Sequence, residues 1–160
     1  MASQILIGCA IALVTVIVME AVAYLVHRYV MHGIGWSIHR SHHRPRSGPF
    51  EMNDLFGVFF AVISLVLIFG STLREPSYWI GIGMALYGLL YALLHDGLVH
   101  RRFPFVRPPR SGFLLRLVKA HHIHHAVKTR GGAVSFGFLY APSVETLAKR
   151  VRQRTRGSNA

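Results

Sequence analysis

Long uncharged runs broken by short polar segments set the first expectations for this chain. Residues 4 to 26 carry a single charge, Glu20, and are long enough to cross a hydrocarbon core as one helix. The run has no basic leader and is too long for a cleaved signal, so a retained membrane-spanning helix is predicted. Residues 54 to 73 predict a second span, capped by Asn53 or Asp54, and residues 77 to 95 a third, after a break at Glu75-Pro76. Spans two and three then form a hairpin. Residues 111 to 125 have the spacing of an amphipathic helix lying at the interface or packed under the bundle, with Phe113, Leu114, Leu117 and Val118 as its apolar stripe. The stretch 131 to 142 is apolar but short and Gly-rich; it reads as re-entrant or interfacial, with a partial fourth span as the alternative. The predicted fold class is therefore all-α: one membrane-embedded helical bundle over residues 1–160, with polar regions at 27–53 and 95–142 and a basic tail at 143–160.

Composition orients that bundle. The chain has 18 Lys and Arg against 6 Asp and Glu, a net charge of +12. In a soluble protein such an excess points to nucleic acid, but beside membrane spans it is first a topology signal. Of those 18 cations only Arg74 falls in the loop between spans two and three. The other face is then cytoplasmic, and a multi-pass protein of the inner membrane is expected. The tail from Lys149 to Arg156 reads as a basic amphipathic or frayed segment attracted to anionic lipid rather than to nucleic acid. The lone Cys9 excludes an intramolecular disulfide and a thiolate-rich metal site.

Histidine supplies the candidate chemistry. The chain has 11, none between residues 44 and 94, and ten of them form a repeat. His27-x4-His32 and His39-x2-His42-His43 come first; His95-x4-His100 and His121-x2-His124-His125 follow. All lie on the cytoplasmic side of the predicted spans. Residues three and four apart share a helix face, so each triplet offers three imidazoles from about one turn. The x4 pairs are separated by about 140° on an α-helix; either each pair serves two metals or the helix ends between its members. Two sets of five exceed what one ion can hold, so two metals are implied. His122 corresponds to Arg40 in the first triplet and is set aside. Glu20, two helical turns before His27, and Asp96, beside His95, are candidate acceptors for imidazole N–H groups. Asp54 reads as a cap, Glu51 is open, and Tyr87, Tyr91, Phe59 and Phe60 read as packing within the spans.

All-nitrogen ligation suits Zn, Cu, Fe or Ni. The segments HRYVMHG (27 to 33), HRSHHRPRSGPFEMNDL (39 to 55), HDGLVHRRFPF (95 to 105) and AHHIHHAVKTRGGAVSFGFLYAP (120 to 142) narrow the choice. They resemble the bacterial β-carotene hydroxylases of the histidine-rich fatty acid hydroxylase superfamily, over nearly the whole stretch from Glu20 to Pro142. The resemblance implies a di-iron monooxygenase that uses O2 and electrons from reduced ferredoxin. It implies hydroxylation at C3 and C3′ of β-ionone rings, taking β-carotene through β-cryptoxanthin to zeaxanthin and canthaxanthin toward astaxanthin. His27, His32, His39, His42, His43, His95, His100, His121, His124 and His125 carry over as iron ligands, with zinc able to replace iron in a purified sample. The implied partners are a carotenoid in the bilayer, a ferredoxin-type reductant and membrane lipid, without nucleic acid. The basic surface around Arg101, Arg102, Arg107 and Arg110 fits an acidic ferredoxin and equally fits lipid. Rival readings are a sibling ketolase, a fatty acid or sterol hydroxylase, and a membrane metal carrier.

Overall fold

The computed structural model describes residues 1–45 and 48–157, with side chains as far as Arg154, and among these residues it is helical, without strands. Helix α1 spans Ala2–Leu25 and passes without interruption into a π-helical segment, Val26–Ile34. A short α2 (Trp36–His39) follows, then α3 (Asp54–Phe69) and α4 (Pro76–Tyr91). A second π-helical segment, Ala92–Val99, continues α4, and α5 (Gly112–Ala126) and α6 (Val144–Gly157) complete the chain. The basic tail thus begins as helix α6; the side chain of Arg156 and residues 158–160 lie outside the described residues.

Two of these helices, Ala2–Ile34 and Pro76–Val99, are long and apolar enough to cross a membrane. The expected second span is shorter than its sequence suggests. Helix α3 stops at Phe69 after 16 residues, about 24 Å of rise, short of a hydrocarbon core of about 30 Å. Gly70 ends it, and a polar turn follows in which Ser71 bonds Ser77 at 2.7 Å and Thr72 donates to Glu75 at 2.9 Å.

Helix α4 packs between α1 and α3. Glycines permit the approach: a Cβ at Gly81 would lie 2.9 Å from the Ser64 carbonyl of α3, and one at Gly83 would lie 2.6 Å from the Ala12 carbonyl of α1. Small residues at such contacts let helix backbones close on one another where lipid removes the ordinary hydrophobic drive. Apolar side chains meanwhile face outward, among them Leu6, Leu13, Ile17, Phe59, Val66 and Leu89. The interior mixes apolar side chains with a large share of buried histidine. The largest fully buried side chains are Leu147 and four histidines, His27, His39, His43 and His124.

Residues 131 to 142 form neither a span nor a helix. They run as an extended strap with Ala133, Val134, Phe136, Phe138 and Ala141 buried. The partial fourth span is thereby corrected: with Gly131, Gly132 and Gly137 in twelve residues, the segment gains more from buried contacts and hydrogen bonds to its neighbours than from its own helix. Val134 and Ala141 of the strap pack with Leu117 and Ala120 of α5 and Leu147 of α6 in a small apolar core. Within α5 the buried side is Leu117, Val118, Ala120, His121 and His124, while Phe113 and Leu114 are substantially exposed.

Candidate metal centre

Each x4 histidine pair lies on or at the end of a π-helical segment, and that winding decides its geometry. The Gly35 N–H donates to the Val30 carbonyl at 2.8 Å and the His100 N–H to the His95 carbonyl at 2.9 Å, both i→i+5 bonds. A wider turn brings the fifth residue back toward the face of the first, which an α-helix does not do. His27 and His32 thus aim at one place, as do His95 and His100. Neither pair is split between the two groups, and the expected helix end is found for one of them: the second segment stops at Val99, between His95 and His100, whereas His27 and His32 lie within one segment. Helix α2 ends at His39, and His42 and His43 follow in a tight turn.

The rings gather into two groups whose facing nitrogens lie within 4.8 Å of one another: His27, His32, His39 and His124, and His42, His95, His100, His121 and His125. His43 adjoins the first group, its Nε2 being 3.2 Å from that of His39. Four members of each group come from one repeat, and the middle histidine of the triplet comes from the other. His42 and His124 are exchanged. His122 is exposed and belongs to neither group.

Hydrogen bonds fix which nitrogen points inward. Nδ1–H of His27 donates to the Phe136 carbonyl (2.9 Å), that of His32 to Arg130 (3.0 Å), that of His43 to Val127 (2.9 Å) and that of His124 to Val134 (2.9 Å). A carbonyl only accepts, so each Nδ1 carries the proton and each Nε2 is left with a bare lone pair. Those lone pairs face one another: His27 and His39 at 3.2 Å, His32 and His124 at 3.2 Å, His42 and His95 at 3.0 Å. Two lone pairs at such a distance repel unless a cation joins them. The separations match the edge between neighbouring ligands of one ion, about 3.0 Å for a right angle at a metal–nitrogen distance of about 2.1 Å. The donor set fits a metal.

A family model for fatty acid hydroxylases matches residues 12–145. The chain belongs to the fatty acid hydroxylase family. Within that family it is 57% identical over 145 residues to a β-carotene hydroxylase of Pantoea ananas, covering 90% of this chain and 83% of the relative. It is 53% identical over 150 residues to a β-carotene hydroxylase of Pseudescherichia vulneris, with 93% and 85% covered. A chloroplastic β-carotene hydroxylase 1 of Capsicum annuum is 36% identical over 161 residues, which is 93% of this chain and 50% of that one. No solved structure matches the chain.

In this member of the family, burial holds His39, His42, His43, His121, His124 and His125 toward the neutral form. Burial is the main cause, pushing His39 down to about 3 and His43 to about 4, with neighbouring histidines adding repulsion in each case. His42, His121, His124 and His125 are lowered by burial first and then by the nearest histidines. Neutral imidazole is the form that binds a metal.

Of the expected carboxylates, Asp96 accepts the Nδ1–H of His95 at 2.8 Å as anticipated. Glu20 does not reach His27. Its Oε1 accepts the backbone N–H groups of Phe138 and Leu139 at 2.9 Å and of Tyr140 at 3.3 Å, and its Oε2 accepts the Tyr87 hydroxyl at 2.8 Å. The reason is that the strap lies between them: its Phe136 carbonyl takes the His27 proton, and its next N–H groups take the carboxylate. Ser135, at a left-handed φ of 62°, bends the strap between the two carbonyls that orient His124 and His27.

Two residues were missed or misread in the sequence. Glu51 accepts from His42 at 2.8 Å, and Asn53 accepts from His39 at 2.7 Å instead of capping α3. Asp54 accepts the Glu51 N–H at 2.9 Å and binds Arg102 at 2.8 Å. Arg102 is turned inward, with 12% of its side chain exposed, and so drops out of the expected basic docking surface. Tyr91 is more than packing, since its ring stacks on His95 with centroids 4.4 Å apart. The signal that pointed to Glu51 and Asn53 was the matching segment FEMND, which spans both.

Proposed function

We propose that this chain is a β-carotene hydroxylase, a monooxygenase that adds hydroxyl at C3 and C3′ of β-ionone rings with two irons, O2 and electrons from a ferredoxin-type reductant. The observation that carries the reading is the convergence of ring nitrogens from nine histidines in two groups, with His43 alongside, in a chain whose similar relatives bear that name. Irons bound there supply activation of O2 for attack on an unactivated ring C–H bond. The ten histidines hold them; the carbonyls of Arg130, Val134, Phe136 and Val127 keep each Nε2 aimed inward. Burial of the rings excludes bulk water.

Substrate reaches this site from the bilayer. An apolar recess of about 20 Å³, lined by Leu94, Leu98, Leu114, Leu117 and Phe138, borders His95 and His121 and must widen to admit a ring. Its walls are apolar, as a hydrocarbon ring requires. A carotenoid rod standing in a bilayer presents its terminal ring at the interface, which is where the histidines follow the ends of α1 and α4. In this reading α1, α3 and α4 form a single membrane-embedded domain of three spans in the inner membrane, α3 relying on local thinning of the bilayer. The histidines face the cytoplasm, because Arg74 is the only Lys or Arg between α3 and α4. Plain rings lead to β-cryptoxanthin and zeaxanthin, and ketolated rings toward astaxanthin.

Expression in cells that accumulate β-carotene tests the proposal. Pigment extracts should shift to zeaxanthin, with two irons per chain in the purified protein. Unchanged pigment would overturn the reading in favour of a ketolase or a hydroxylase of another lipid.

A further inference from the structure

The two histidine groups have unlike surroundings. Where His42, His95, His100, His121 and His125 meet, two Nδ1–H groups go to carboxylates: His42 to Glu51 and His95 to Asp96, each at 2.8 Å. One guanidinium gathers those carboxylates. Arg102 Nη1 lies 2.8 Å from Asp54 Oδ1 and 3.5 Å from Asp96 Oδ2, and its Nη2 lies 3.5 Å from Glu51 Oε1. The backbone builds this placement. Arg101 adopts a left-handed φ of 52°, and the Arg102 N–H turns back to donate to the Asp96 carbonyl at 2.8 Å, closing the π-helical segment in the manner of a Schellman turn. Three carboxylates around one arginine leave this corner net negative.

Among the described residues the other group has no such corner. The acceptors for His27, His32, His43 and His124 are backbone carbonyls, and that for His39 is the Asn53 amide. The charges beside it are positive. Lys128 Nζ donates to the His43 carbonyl at 3.0 Å, and Arg130 Nε to the His32 carbonyl at 3.3 Å. A carboxylate on Nδ1–H draws the proton away from the ring and makes Nε2 a stronger donor, whereas a neutral carbonyl does so less.

We propose that the Arg102–Glu51–Asp96 network makes the two metal positions unequal, the one among His42, His95, His100, His121 and His125 being the more electron-rich and the tighter. The inference rests on the two-metal reading given above. Glu51 and Asp96 act through the rings they hold, and Arg102 acts through Glu51 and Asp96. All three are positioning residues.

Full-length protein loaded with iron-57 in detergent tests this by Mössbauer spectroscopy and chelator competition. Wild type should give two distinct doublets and two release phases. Glu51→Gln and Asp96→Asn should move one doublet only and weaken the tighter phase by about ten- to a hundredfold. Arg102→Gln should move the same doublet, and Arg102→Lys should partly restore it. Asn53→Ala should move the other. If Arg102→Gln fails to accumulate, the near-isosteric Glu51→Gln and Asp96→Asn decide the matter. Equal shifts of both doublets, or a single release phase in wild type, would overturn the inference. Wild type that binds fewer than two irons would instead overturn the two-metal reading beneath it.

Discussion

His42 Nε2 stands 3.0 Å from His95 Nε2, although the two residues belong to different copies of the repeat. The reciprocal crossing is His124, whose Nε2 lies 3.2 Å from that of His32. Each copy therefore completes the other's ligand set. Replacing either residue should cost the metal of the opposite copy. His42→Ala and His124→Ala should each abolish zeaxanthin formation and lower bound iron from two toward one per chain, with membrane insertion intact. Normal pigment output from either variant would refute the ligand assignment.

Glu20 should govern the strap and, through it, the rings. Its Oε1 accepts three consecutive backbone N–H groups, of Phe138, Leu139 and Tyr140. Glu20→Ala leaves those donors and the Tyr87 hydroxyl unpaired, a loss on the order of 2–4 kcal/mol. Thermal unfolding of the purified protein should show the drop, and iron should bind less tightly because the Phe136 carbonyl loses its anchor. Glu20→Gln keeps one carbonyl oxygen for the N–H groups and should lie between Ala and wild type. Wild-type stability in Glu20→Ala would contradict this role.

The recess beside His95 and His121 should be a passage and not a structural seam. Leu98→Trp fills it with a larger apolar side chain. Hydroxylation should fall at least about tenfold, the scale on which a misplaced reactant loses rate, while iron content stays at the wild-type value. Undiminished turnover with iron retained would place the substrate route elsewhere.

Acid should dismantle the site in a defined window. His39 and His43 ordinarily titrate near about 6.5 in an unfolded chain, and in the fold they are held down to about 3 and about 4. Between those limits the unfolded chain binds more protons than the native one, so stability falls as pH falls. Metal-free protein should be insensitive to pH above about 7 and lose stability progressively from about 6.5 downward. Trp36, whose ring lies 5.3 Å from that of His43, provides a fluorescence reporter. A stability profile flat from pH 7 to pH 4 would contradict the burial of neutral imidazoles.

Much of this was legible in the residues, and the remainder was hidden for identifiable reasons. The repeat marked the histidines that converge because imidazoles in a fixed register leave a visible period. The x4 pairs remained open because α-helical geometry places their members apart, and only the i→i+5 winding reunites them. The acceptors for His27, His32 and His124 are backbone carbonyls 109, 98 and 10 residues away, and a carbonyl has no letter of its own. Glu20 was rightly singled out as a charge too costly for a span without a purpose. Its partner was misjudged because helical spacing says nothing of a distant segment that inserts between two side chains. Helix α3 was read as long because Ser71 and Thr72 follow an apolar run, whereas their hydroxyls serve the turn.

The burial of His27, His39, His43 and His124 sets a cluster of facing imidazoles inside the molecule beside its hydrocarbon core. Lone pairs turned on one another weaken such a cluster until a cation joins them, so metal-free protein should be folded but less stable than the metal-loaded form. Metal supply then sets how long the protein lasts as well as how fast it works, because the metal-loaded form resists unfolding and proteolysis better than the metal-free one.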